Sequence, residues 1–365
     1  MRRKYASVLA RRLRAVGPAR AMRLAANGLA LLRGVRRGRA IGAPVSATLA
    51  LTYRCNQRCA MCNFPQRARR GVPEISTARA AEIIVELARM GIYGVSFYGG
   101  EPLLRGDLVE LVSLAHEKKL TVHVATNGML LTEEAARALV GAGADLITLS
   151  MDGSTAGVHD RQRGVPGAFD RLRDAVRNIR SARSSLGRGC HCALAATLTE
   201  GNVGDVAGIV RAARDLGADT LSVFEAQGLE DLSQPRTAGY LSALARANDL
   251  LRVEKARSPG FIDNSNAYLD YCHRLFSGGA PRIKCLAPFT DIFIDAYEDV
   301  YACNHFFGMA RLIGNLEGGG VRAFWFSGAY QEARRGLAAC AACNYMCHRE
   351  LSLALGRFLP RSSRR

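Results

Sequence analysis

The sequence predicts an α/β fold: a partial (β/α)6 TIM-like barrel followed by a C-terminal cysteine-rich extension. Three observations lead there. Short apolar, β-rich runs recur six times, helix-patterned segments separate them, and six units fall short of the eight that close a barrel. The first run spans 47–53, and the next three span 94–98, 121–126 and 146–151. Runs at 190–198 and 220–225 complete the set. Between them, 77–90, 108–118, 133–142, 168–184 and 203–216 carry helix formers with apolar residues at core spacing. A helix over 237–256 follows, and Ser258, Pro259 and Gly260 then break the pattern. The expected division is a basic amphipathic segment over 1–46, a barrel over 47–258 and the extension over 259–365.

A chain of 365 residues can bury a sizeable core. With 48% hydrophobic and 22% charged residues it reads as globular, and no run of about 18 uncharged apolar residues offers a membrane-spanning helix. The eleven cysteines fall in tight local clusters behind nothing that resembles a signal peptide, so metal binding is a better reading than disulfides. Thiols kept reduced point to the cytoplasm.

The strongest motif is Cys55-Asn-Gln-Arg-Cys59-Ala-Met-Cys62, directly after the first strand. Three thiolates can hold three irons of a 4Fe-4S cluster and leave the fourth open to bind a substrate or cofactor. A zinc knuckle is the alternative for these cysteines taken alone. Further signatures close the next three strands: Tyr98-Gly99-Gly100-Glu101-Pro102, Thr126-Asn127-Gly128 and Ser150-Met151-Asp152-Gly153. His159-Asp160 and Arg163-Gly164 follow. Singly, such glycines read as turns and Ser-x-Asp as a helix cap. Four motifs at four successive strand ends, on the rim where barrels place their chemistry, are not explained that way.

The CxxxCxxC loop and these strand-end motifs resemble the radical SAM superfamily. That resemblance implies a 4Fe-4S cluster on Cys55, Cys59 and Cys62, and S-adenosyl-L-methionine bound at the open iron. It implies that Gly99, Gly100 and Glu101 receive the methionyl ammonium group, with glycine allowing close approach of the chain. Asn127, Ser150, Asp152 and Arg163 complete the implied cofactor site. The serine and the arginine would meet the methionyl carboxylate or ribose, a task that suits the donor fork of arginine. Met61 departs from the aromatic residue usual before the last cysteine, and Phe64 reads as a packing residue nearby. No histidine is assigned as a base.

The tail carries Cys285, then Phe293-Ile-Asp-Ala-Tyr-Glu-Asp-Val-Tyr-Ala-Cys303, then Gly314-Asn315-Leu316, Trp325 and Cys340-Ala-Ala-Cys343-Asn-Tyr-Met-Cys347. It resembles the SPASM and Twitch extensions of that superfamily, which implies one auxiliary 4Fe-4S cluster on Cys285, Cys303, Cys340 and Cys343. Cys347 could replace either member of the CxxC pair, and a structural zinc is the alternative. Glu298 stands where relatives usually have a turn glycine, which leaves the hairpin geometry open. Cys190, Cys192 and Cys272 read as small buried thiols.

Charge sets the N-terminus apart. Of the net +18, seventeen Lys and Arg precede the first acidic residue, Glu74. Residues 1–46 interleave twelve basic residues with leucines, which reads either as amphipathic helices on the inner face of an anionic membrane or as a segment packed on the barrel. Nucleic acid is disfavoured, because interleaved aromatics are missing apart from Tyr5. The activity expected is reductive cleavage of S-adenosylmethionine to a 5'-deoxyadenosyl radical that abstracts a substrate hydrogen, fed by a low-potential flavodoxin- or ferredoxin-type donor. The substrate reads as a lipid or membrane-associated molecule, with peptide modification as the alternative. Outside enzymes, the rivals are an electron-transfer or sensor protein and a zinc-stabilised nucleic-acid binder, and both leave the strand-end motifs unexplained.

Overall fold

The computed structural model describes residues 18–226, 236–279, 283–303, 312–337 and 346–356. Its centre is a sheet of parallel strands in sequence order: β1 (Ser46–Ala50), β2 (Gly94–Tyr98), β3 (Thr121–Thr126), β4 (Leu146–Ser150), β5 (His191–Leu198) and β6 (Thr220–Glu225). Each is followed by helical structure on the outer face, as alternation of the two periodicities requires. The six expected strands are all present.

Local chemistry sets the helix ends. The helix Thr77–Met90 starts at Ser76, whose hydroxyl accepts from Arg79 N at 3.2 Å, and stops at Gly91, left-handed at φ 83°. Its buried face is Ala80, Ile83, Ile84, Leu87 and Met90, one stripe at helical spacing. Thr132 and Thr237 cap the helices Glu133–Ala142 and Ala238–Arg257 in the same manner.

Two expected elements end differently. The first strand leaves the ladder at Ala50 because its partner β2 stops at Tyr98 and Gly99 turns away at φ 150°. Leu51, Thr52 and Tyr53 stay buried: Leu51 N donates to Tyr98 O at 2.9 Å, Gly100 N to Thr52 O at 2.8 Å and Tyr53 N to Glu74 Oε1 at 2.7 Å. The helix expected over 203–216 begins with a 3-10 turn at Val203–Asp205 and becomes α-helical only over Val206–Asp215.

The sheet does not stop at the end of the barrel sequence. β7 (Asp291–Ile294) pairs parallel with β1, and β8 (Asp299–Tyr301) and β9 (Leu312–Asn315) add antiparallel beyond it. The order is β6-β5-β4-β3-β2-β1-β7-β8-β9, so the segments on either side of residue 258 share one sheet. Glu298 sits in the β7–β8 turn at φ 64°, the left-handed conformation that glycine adopts most easily. The hairpin forms around it nevertheless: Glu298 N donates to Asp295 O, and its carboxylate pairs with Arg79 at 2.9 Å.

The N-terminal helix Pro18–Arg37 lies against this body. Leu31 and Val35 are buried with Leu286 and Phe289, Asn27 accepts from Ala43 N at 2.8 Å, and Trp325 Nε1 donates to Gly42 O at 2.9 Å. Met22 and Leu29 remain exposed. Residues 1–17 lie outside the described residues. Among the described residues, no helix is long and apolar enough to cross a membrane.

Candidate active site

The outer face of the sheet packs a continuous apolar core against the helices, whereas the inner face carries small and polar residues. Thr48, Ser96, Thr148, Ser150, Thr197 and Ser222 leave the lumen unfilled, and a cavity of about 1940 Å³ results. Cys55, Cys59 and Cys62 stand in its wall with Gly99, Gly100, Asn127, Ser150 and Arg163. Residues from four different strand ends thus share one space, at the carboxyl ends of the strands.

The cysteine loop is pinned from two sides. Ala60 N donates to Gln162 O and Arg58 N to Arg163 O, both at 3.1 Å. Asn127 Nδ2 donates to Asn56 Oδ1 at 2.7 Å and lies 3.9 Å from Cys55 Sγ. The three thiols are half-buried, and burial pushes Cys59 up to about 11 while the Arg163 charge pulls it down. Burial also raises Cys55 and Cys62.

Gly99 and Gly100 stand on the cavity wall, and with Glu101 they also make close contacts within the protein. A Cβ on Gly99 would stand 2.5 Å from Thr52 O and one on Gly100 2.2 Å from Arg54 O. The close approach that needs glycine is therefore to the chain leading into the cysteine loop. The Glu101 carboxylate is buried and already accepts from Thr126 Oγ1, Asn127 N and Leu103 N at 2.7, 2.8 and 3.0 Å. It ties the end of β2 to the end of β3. Burial raises its pKa, against the pull of those donors.

Asp152 and Arg163 form a buried pair, Arg163 Nη1 to Asp152 Oδ2 at 2.8 Å, with Asp152 fully covered. Burial works against the guanidinium charge, but Asp152 holds it firmly protonated. The other Asp152 oxygen accepts from Thr197 N at 2.7 Å, joining β4 to β5. Asp152 N donates to His159 Nδ1 at 3.1 Å, and burial lowers the His159 pKa to about 4, so this imidazole is neutral and carries its proton on Nε2. Arg163 Nε donates to Gln57 Oε1 at 2.8 Å. The arginine expected at the cofactor thus also braces the cysteine loop.

Gln57, Gln162 and Asn202 were not visible as site residues. Gln57 occupies a position inside the cysteine motif that the spacing leaves unspecified, and Asn202 reaches Asp152 O only through the fold, at 2.9 Å. Phe64 is buried against Tyr53, rings 4.4 Å apart, and packs beside Cys62, as a packing residue should. Cys190, Cys192 and Cys272 are buried. In the tail, Cys285 is buried just before β7, and Cys303 is half-buried just after β8. Cys340 and Cys343 lie outside the described residues.

The family model "Radical SAM superfamily" matches residues 49–188. The chain is 30% identical over 327 residues to the mycofactocin maturase MftC of Mycolicibacterium smegmatis, covering 84% of this chain and 77% of that one. It is 36% identical over 217 residues to the PqqA peptide cyclase of Rhodopseudomonas palustris, covering 59% and 56%. In fold it is similar to Streptococcus suis SuiB bound to the precursor peptide SuiA, with TM-score 0.64, 17% identity, and coverage of 87% and 74%.

Proposed function

Because the chain belongs to the radical SAM superfamily, we propose that this enzyme is a maturase that removes a hydrogen atom from a peptide. The observation that carries the peptide reading is the similarity to MftC along most of both chains, supported by the similarity to a peptide cyclase. The lipid substrate expected from the basic leader has no counterpart among these similarities, and Leu31 and Val35 of the N-terminal helix are buried on the body while Met22 and Leu29 remain exposed.

The residues fit the cofactors that the family implies. Three thiols on one loop face a large cavity, and among the described residues no fourth cysteine lines it, which suits a cluster with one coordinating position left to S-adenosylmethionine. With both bound, an electron from the cluster cleaves S-adenosylmethionine into methionine and a 5'-deoxyadenosyl radical. The chain's own task is to orient. Glu101 and Asn127 lock the rim beside Cys55, and Arg163 braces the loop while keeping a positive charge beside it. Gly99, Gly100, Ser150 and Arg163, on the cavity wall, are proposed to contact the methionyl and ribosyl groups.

We assign one auxiliary 4Fe-4S cluster to Cys285, Cys303, Cys340 and Cys343, and a flavodoxin- or ferredoxin-type donor as reductant. Replacing Cys303 with Ser should lower iron from about eight to about four per chain. The substrate class is tested anaerobically with dithionite-reduced enzyme and S-adenosylmethionine. The loaded enzyme is offered either the deuterated peptide fraction or the deuterated lipid fraction of its host, and 5'-deoxyadenosine is analysed by mass spectrometry. Deuterium gained from the peptides alone supports the proposal, and deuterium gained from the lipids alone overturns it.

A further inference from the structure

The basic bias of the N-terminal part of the chain does not end with the leader. Twelve of the seventeen Lys and Arg that precede Glu74 lie in residues 1–46. The other five, Arg54, Arg58, Arg67, Arg69 and Arg70, run through the cysteine loop and the turn after it, and residues 54–73 hold no acid. Arg58 and Arg70 are exposed, and Arg54 and Arg69 keep 62% and 44% of their side chains in solvent. The carboxylates that answer them lie underneath: Glu74 beside Arg54 is 19% exposed, and Asp299 beneath Arg69 is 4% exposed. The outer layer is thus guanidinium.

The two arms of the loop are drawn together. Arg69 lies 4.7 Å over the Tyr297 ring and its backbone N donates to Tyr297 Oη at 2.7 Å, while Tyr53, the residue before Arg54, stacks on the same ring at 5.1 Å. Arg58 also lines the cavity, and the other four arginines stand outside its wall. A substrate in the lumen therefore does not account for them. An electron for the cluster must arrive from outside, and these charges surround the loop that carries the three thiols.

We propose that Arg54, Arg58, Arg67, Arg69 and Arg70 form the docking surface for an acidic one-electron carrier protein that reduces the cluster at Cys55, Cys59 and Cys62. The inference rests on the radical SAM reading of that loop and not on the identity of the substrate. Each arginine fork can take a carboxylate bidentately, and opposite charge on the two partners steers their encounter. In the step itself one electron passes from the reduced carrier to the oxidised cluster, and the carrier leaves oxidised by one electron.

The test pairs binding with turnover. An acidic flavodoxin is the probe, and the variant is Arg67→Glu with Arg70→Glu, which leaves Arg69 on Asp299 and Arg58 on the cavity wall. Calorimetry with oxidised flavodoxin at low salt should show affinity about tenfold weaker for the variant, and a similar loss for the parent when ionic strength rises from about 0.02 to about 0.3 M. With flavodoxin hydroquinone and S-adenosylmethionine, the variant should need about tenfold more carrier for half-maximal 5'-deoxyadenosine formation, while dithionite drives parent and variant equally. Equal affinity for flavodoxin in parent and variant overturns the proposal, as does an equal demand for the hydroquinone. Binding to phosphatidylglycerol vesicles that the double change abolishes, with flavodoxin affinity untouched, gives the surface to a membrane and overturns it too. Should the double reversal fail to fold, Arg70→Gln alone is titrated with oxidised flavodoxin: an affinity lower by about twofold or more supports the surface, and an equal one overturns it. If dithionite elicits no 5'-deoxyadenosine from the iron-loaded parent, the radical SAM reading fails instead, a result distinct from the calorimetric one.

Discussion

The cysteine loop after β1 and the β7–β8 hairpin grow from neighbouring strands, yet they hold their shapes by different means. The loop borrows its restraints from far along the chain: Gln162 and Arg163 accept its backbone donors, Asn127 holds Asn56, and Asp152 anchors the arginine. The hairpin has such ties too, Tyr53 OH to Asp295 Oδ2 at 2.5 Å, Ile75 N to Ala296 O at 2.7 Å and Arg79 to Glu298 at 2.9 Å, but it adds a dense frame of its own. Asp295 Oδ1 accepts from Tyr297 N and Asp299 N at 2.8 and 2.9 Å, and Asn315 on the next strand bonds Asp299 and Tyr297. The loop thus leans on β3 and on the segment after β4, whereas the hairpin combines its own bonds with ties to residues 53–79. Damage at Asp152 should reach the first more than the second.

The largest effect comes from the loop itself. Replacing Cys59 with Ala should take 5'-deoxyadenosine formation below detection by chromatography, with the fold retained by circular dichroism. Persistent cleavage would contradict the cluster assignment.

Replacing Asp152 with Ala comes next. It leaves the buried Arg163 guanidinium without its carboxylate, a loss of about 3–5 kcal/mol in chemical denaturation. If the comparison holds, the loop should become protease-sensitive while the hairpin stays protected, and equal protection of both would break it.

A smaller, pH-dependent effect belongs to β7. Burial pushes the Asp291 carboxyl up to about 8, against a weak bond from Thr48 at 3.5 Å. The fold prefers the protonated acid, whereas the unfolded chain ionises near the usual carboxylate value. This contribution is therefore complete in acid and is lost as pH rises towards 8. Asp291→Asn should flatten the fall in stability between pH 5 and pH 8, measured as the denaturation midpoint, and an unaltered slope would assign that fall to other groups.

The smallest effect is at Glu298. Glycine there removes a left-handed cost of about 1–2 kcal/mol and loses the Arg79 pair, worth about 0.5 kcal/mol. The expected net change is a gain of about 1 kcal/mol in thermal unfolding. A clear loss would show that the ion pair, not the backbone, governs the turn.

The six βα units and the strand-end motifs were legible in the sequence because each rests on local pattern: alternation within a few residues, a capping Ser76 or Thr132, and cysteines counted along one loop. So was the family, since its signature is a spacing. Tertiary structure alone decided that β7 joins β1, that Gly99 and Gly100 make room for the chain entering the cysteine loop, and that the Glu101 carboxylate is spent on three donors of the rim. It alone placed Gln57, Arg163 and Asp152 in one line. The reason is physical. Periodicity and turn chemistry act between near neighbours in the chain, whereas a buried hydrogen bond between residues 57 and 163 exists only once the sheet has brought strand ends together.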